Sequence, residues 1–232
     1  MPTDEPSADR DDSVSGVVPV GGPTPGARSV PRFAVLSAAL APVAMIGGWT
    51  LAAALQSSFD AVGETISALA AAPSAHPGVM TAGLAVTGAC HVATALGLRG
   101  AATPGRVLLA LGGVSTAAVA ALPVDLYPQA HGIAAGVGFG ALALWPALAG
   151  GRRGSGRPRR APLVVTSAVL VGLVVVFVLE LQGLTPDGGA ATGLTERLAA
   201  GAQSLAPLGL VLALMARHAR STRRPAPAAR PR

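Results

Sequence analysis

The sequence predicts an all-α, polytopic membrane protein, a bundle of six transmembrane helices with both termini in the cytoplasm. Three observations carry this prediction. Of 232 residues, 51% are hydrophobic and only 12% charged, with a mean hydropathy of +0.55, where a soluble domain carries about 25% charged residues. Apolar runs long enough to cross a bilayer recur along the chain. The arginines fall on alternate sides of those runs. A water-soluble fold could not cover its surface with so little polar material, whereas lipid tails require no such cover.

The elements follow in order. Residues 1–31 are acidic first (Asp4, Glu5, Asp9, Asp11, Asp12) and then rich in Gly and Pro. They are too polar to offset the entropy of ordering, so they read as a disordered cytoplasmic tail. A six-helix membrane domain is expected over 32–217, with spans at about 33–55, 78–98, 107–122, 132–149, 161–181 and 198–216. A spanning helix needs about 20 residues. The third run is short and borrows Arg106 and Pro123 at its ends. Backbone groups in hydrocarbon must be satisfied within the segment, and these runs lack the alternation of barrel strands, so helices are the expected solution. Residues 218–232 read as a disordered basic tail.

All 17 basic residues are arginine, with no lysine, a bias of the kind a GC-rich bacterial genome produces. Arg28 and Arg32 precede the first span. Arg99 and Arg106 lie between the second and third, and Arg152, Arg153, Arg157, Arg159 and Arg160 between the fourth and fifth. Arg217, Arg220, Arg223, Arg224, Arg230 and Arg232 follow the sixth. The other three connections hold Asp60, Glu64, Asp125, Asp187 and Glu196 against Arg197 alone. The positive-inside rule makes the arginine face cytoplasmic and the acidic face external, in a bacterial inner (cell) membrane. The formal charge of +6 does not indicate nucleic acid, because the arginines flank apolar spans and no aromatic residues interleave with them. The expected partner is the lipid bilayer. Cys90, the single cysteine, excludes an intrachain disulfide and reads as a small packing residue.

Gly132, Gly136 and Gly140 recur every fourth residue on the fourth span. This spacing lets a neighbouring backbone approach closely and offers a surface for oligomerisation. Gly83 with Thr87 reads similarly on the second. Trp49, Trp145 and Tyr127 read as interfacial anchors, and His91 as an intramembrane imidazole bonded to a neighbouring helix.

Residues able to carry chemistry cluster on the acidic face. Asp60, Glu64 and Ser67 have i, i+4, i+7 spacing and would share one face of a short amphipathic helix. Asp125 and His131 bracket the start of the fourth span, and Glu180 sits near the end of the fifth. Thr195 would cap a sixth helix opened by Glu196 and Arg197. Arg197, the one cation there, is expected to pair with Asp125 or Asp60. His131 could cap a carbonyl, pair with Asp125 or bind a metal. The candidate site is therefore Asp60, Glu64, Ser67, Asp125, His131, Glu196 and Arg197, with no metal or other cofactor.

Three of these segments resemble the signature regions of a membrane family called domain of unknown function 998. They are Asp60 to Leu69, Pro123-Val124-Asp125 followed by His131, and Gly193-Leu194-Thr195-Glu196-Arg197-Leu198. The resemblance covers roughly residues 33–216 and implies a six-helix integral membrane protein without a settled activity. The family pattern often has a Cys or other small residue in the Asp125 loop, where this chain has Val124 and Tyr127, so no thiol stands there.

No motif establishes an activity. The acidic cluster fits a non-enzymatic membrane protein, such as a small transporter, a lipid-binding protein or a partner subunit with a lipid or small-molecule ligand. The alternative is a metal-dependent membrane hydrolase acting on a lipid or lipid-linked envelope precursor. His76, His131, Asp60, Glu64 and Asp125 would then supply zinc ligands, although no paired-histidine spacing is present. Ser67 lacks the context of a nucleophile elbow. The charge asymmetry predicts that a periplasm-active reporter is active after Asp60, Gln129 or Gly189 and silent after Ala102 or Ser155. Activity at Ser155 would contradict the six-span arrangement.

Overall fold

A computed structural model describes residues 29–151 and 158–222. Most of the two expected tails lies outside these residues, as do Arg28, Arg152, Arg153, Arg157, Arg223, Arg224, Arg230 and Arg232. The described residues form α1 (Arg32–Ala54), α2 (Ile66–Leu69), α3 (Pro77–Gly97), α4 (Thr103–Ala121), α5 (Pro128–Ala149), α6 (Arg160–Leu181) and α7 (Thr192–Thr222). All but α2 are long and apolar enough to cross a membrane.

Proline marks the helix starts. Pro77, Pro104 and Pro128 occupy the first turns of α3, α4 and α5, where a missing N–H costs nothing. The third span therefore begins at Thr103, ahead of Arg106, whose Nε is free to donate to the Ala95 carbonyl (2.8 Å) at the end of α3. The sixth span begins at Thr192, not near Leu198. Thr195 is consequently inside the helix, and its hydroxyl donates back to Ala191 O and Thr192 O instead of capping.

The six long helices close into a ring. Each packs on its neighbours in sequence, α1 on α3, α3 on α4, α4 on α5, α5 on α6 and α6 on α7, and α7 returns to α1. Small residues permit the tightest contacts. A Cβ added at Gly88 would lie 2.5 Å from Gly113 O, and one at Gly113 would lie 2.6 Å from Gly88 O, so α3 and α4 meet backbone to backbone. Gly83 packs similarly against Gly48 of α1, and Thr87 donates to Ala41 O. The Gly132, Gly136 and Gly140 face of α5 is different. Nothing lies within reach of a Cβ at any of the three, so this stripe does not serve packing among the described residues. Spacing defines a face, but the ring decides which face turns inward.

The exterior is apolar, as a lipid-facing surface requires. Leu36, Ile133 and Val165 are 62–70% exposed. Inside are two apolar layers. One, at the end bearing Arg99 and Arg106, contains Ala38, Leu98, Leu109, Leu142, Trp145 and Val211. The other, at the α2 end, contains Met45, Ile66, Leu69, Met80, Leu84 and Ala200. Between them in sequence, on three different helices, fall the buried polar residues His91, Thr116 and Gln203. Trp145 is 1% exposed, so it is a core residue and not an interfacial anchor.

Candidate functional site

The site is built where α7 begins. Gly193 is pressed against the Glu64 carbonyl, where any side chain would collide. That contact lets the Leu194 N–H donate to Val62 O (2.9 Å). One turn further along, Glu196, 5% exposed, accepts the N–H of Ile66 through Oε2. Arg197 Nη1 lies 2.8–2.9 Å from three backbone carbonyls, Ala61, Glu64 and Gly193. Its guanidinium carbon stands 5.2 Å from the centre of the Phe59 ring, a cation–π distance. A helix terminus and a loop are thus clamped together by one carboxylate and one guanidinium.

The loop itself is a turn, not an amphipathic helix. The Asp60 N–H donates to Glu64 Oε1 (2.8 Å) and the Val62 N–H to Asp60 Oδ1 (2.9 Å). Helix α2 starts only at Ile66, capped by the Thr65 hydroxyl accepting from the Ala68 N–H. Asp60, Glu64 and Ser67 therefore do not share a helical face: the two acids fold the turn, and Ser67 faces elsewhere. Asp125 accepts from the Ala72 N–H (3.3 Å), so it binds the other side of the α2 segment instead of Arg197.

Ser67 meets His131. Its Oγ is 2.9 Å from His131 Nε2, and His131 Nδ1 is 2.7 Å from the Leu122 carbonyl. A carbonyl oxygen only accepts, so Nδ1 carries a proton. In the neutral imidazole Nε2 is then an acceptor, and the Ser67 hydroxyl donates to it. His131 is 6% exposed.

Ser67 and Glu196 also line a cavity of about 50 Å³ that enters the bundle. Its walls include Met45, Leu84 and Phe139, and His91, Thr116 and Gln203 line it as well. Two of these polar groups have protein partners: Thr116 donates to Gly112 O and Gln203 to Phe139 O. His91, 1% exposed, has no hydrogen-bond partner for Nδ1 among the described residues, so the expected bond to a neighbouring helix is not formed there. The volume suffices for water, which requires roughly 10–15 Å³, or for the thin polar end of a larger molecule.

Residues 39–224 match the family described as "Protein of unknown function (DUF998)". The chain belongs to this family. Comparison with curated proteins and with solved structures yields no match. The DUF998 match begins within α1 and covers the other five long helices entirely, and the clamp, the Ser67–His131 pair and the cavity all lie within it.

Among the described residues, no three side chains of His, Cys, Asp or Glu come together as a metal-ligand set. The proposed zinc donors are dispersed: Asp60 and Glu64 in the turn, His76 at the start of α3, Asp125 on Ala72, and His131 between Leu122 and Ser67. The sequence reading missed the contributions of His91, Thr116 and Gln203 to one cavity. Their burial deep in three apolar spans was the available signal. It also missed Glu180, 7% exposed, as the acceptor for the Ala191 N–H that leads into α7.

The clamp predicts that Arg197→Ala lowers thermal stability in detergent by about 2–4 kcal/mol, since hydrogen bonds to a charged group contribute about 1.5–3 each. Arg99→Ala, at an exposed loop position, should change it little. Adding Asp125→Asn should be additive, because Asp125 has a different partner, whereas Phe59→Leu should couple to Arg197 in a double-mutant cycle. Equal melting of the Arg197 and Arg99 variants would refute the clamp.

Proposed function

We propose that this DUF998 protein is a non-enzymatic lipid-binding protein of the inner membrane, with its termini in the cytoplasm and its α2 end outward. It receives the polar end of a lipid or other amphipathic molecule in the cavity between α2 and His91. A small transporter or a partner subunit would use the same site. The observation that carries this reading is His91, a buried imidazole that lines a mostly apolar cavity and whose Nδ1 has no hydrogen-bond partner among the described residues. An unmet buried polar atom costs about 1–3 kcal/mol, and ionisable residues within membrane spans are by default functional. A ligand with one hydrogen-bonding group and an apolar body satisfies both the imidazole and the Met45, Leu84 and Phe139 walls. No metal or other cofactor enters this reading.

A second reading is favoured by a specific geometry, the Ser67–His131 pair. Its tautomer leaves Nε2 free to take the hydroxyl proton, as a general base does for a nucleophilic serine. An enzyme acting on an acyl-containing lipid would use Ser67 in place of the zinc of the metal-dependent alternative.

The test is mass spectrometry of lipids retained by the purified protein. His91→Leu, which conserves bulk and removes the orphan nitrogen, should lower the retained ligand about tenfold, equivalent to 1.4 kcal/mol, while keeping or raising the melting temperature. Loss of stability with unchanged lipid would make His91 a packing residue and contradict the proposal. A fluorophosphonate probe separates the readings: labelling that disappears in Ser67→Ala belongs to the second.

A further inference from the structure

The other end of the bundle holds a second cavity, separate from the candidate site and of about 560 Å³, within the roughly 300–1,000 Å³ typical of small-molecule sites. It lies among α5, α6 and α7. Pro146, Leu163, Leu210 and Leu214 contribute apolar wall, and Arg159, Arg217 and Arg220 line it too. Among the described residues, no acidic side chain does. Trp145 also lines it, and this residue supplies an independent observation. Its side chain is 99% buried, yet Nε1 has no hydrogen-bond partner among the described residues.

The donors fit one class of molecule. Three guanidinium groups favour an anion, and guanidinium matches phosphate oxygens in bidentate geometry. The apolar wall favours attached hydrocarbon. The position, at the arginine-bearing end of a membrane bundle, puts both halves within reach of the bilayer. Basic pockets between transmembrane helices hold anionic lipid headgroups by this combination. We propose that the groove among α5, α6 and α7 is a binding site for an anionic phospholipid, with the headgroup phosphate at Arg159, Arg217 and Arg220 and the attached hydrocarbon against the apolar wall and Trp145.

The chain contains two tryptophans, Trp49 and Trp145. Trp49 packs against Gly201 of α7 and does not line the groove, so Trp49→Phe leaves Trp145 as the sole reporter. The full-length variant is reconstituted in phosphatidylcholine vesicles doped with brominated phosphatidylglycerol or, in parallel, brominated phosphatidylcholine. Brominated phosphatidylglycerol should quench Trp145 at a lower mole fraction. Changing any one of the three arginines to Gln in this background should weaken that preference about fivefold, the factor corresponding to about 1 kcal/mol per basic residue near an anionic surface. Lysine at the same position should restore part of it. Equal quenching by the two lipids overturns the proposal, and that comparison needs no arginine variant to fold. A preference that survives all three substitutions places the anionic lipid elsewhere and also overturns it. Displacement of the quencher by inorganic phosphate at constant ionic strength would assign the groove to a soluble anion and overturn the lipid assignment.

Discussion

In hydrocarbon, a polar group without a partner inside the protein has no water to fall back on, and this constraint organises the molecule. Most of its buried polar atoms obey. Ser167 of α6 both donates to Ala143 O and accepts from Ala147 N–H on α5. Ser37 and Thr94 join hydroxyls between α1 and α3 at 2.8 Å. Three buried side-chain nitrogens among the described residues do not: His91 Nδ1, Trp145 Nε1 and Arg197 Nη2. His91 is among the residues that line the first cavity, Trp145 among those that line the second, and Arg197 belongs to the clamp beside the loop that bears Ser67. The departures from the rule therefore fall where the chemistry is concentrated.

Much of the site depends on how α7 docks. Gly193 allows the backbone approach, Glu196 takes the Ile66 N–H, and Arg197 takes the carbonyls of the preceding turn. With Ile66 held, α2 presents Ser67 to His131 and seats Ile66 and Leu69, 3% and 1% exposed, in the apolar layer below. The same helix carries Gln203 into the cavity two turns deeper. A change at Gly193 would thus be felt at Ser67 without touching it.

The spans were legible because hydropathy over about twenty residues is a local property, and the DUF998 resemblance rested on short segments that the site does use. The start of α7 was not, because Thr192, Gly193 and Thr195 look like loop residues until their contacts with the Asp60–Glu64 turn are known. Asp60 and Glu64 were correctly seen as near neighbours, but their i, i+4 spacing serves a turn as well as a helix. Ser67 and His131 are 64 residues apart, so no local pattern could pair them. The glycine stripe on α5 was visible, but spacing alone did not say whether it packs within the bundle or, as it does, leaves the bundle's own helices untouched. Trp145 looked like a belt residue by type, whereas its position relative to the ring placed it in the core.

The central claim is that His91 and its polar neighbours face a ligand and not one another. A high-resolution structure of the protein extracted directly into native lipid nanodiscs tests it most directly. The account predicts elongated non-protein density in the cavity, with a polar atom within hydrogen-bond distance of the His91 imidazole and an apolar portion against Leu84 and Phe139. A cavity closed by side-chain repacking, with His91 Nδ1 bonded to a helix carbonyl, would contradict it.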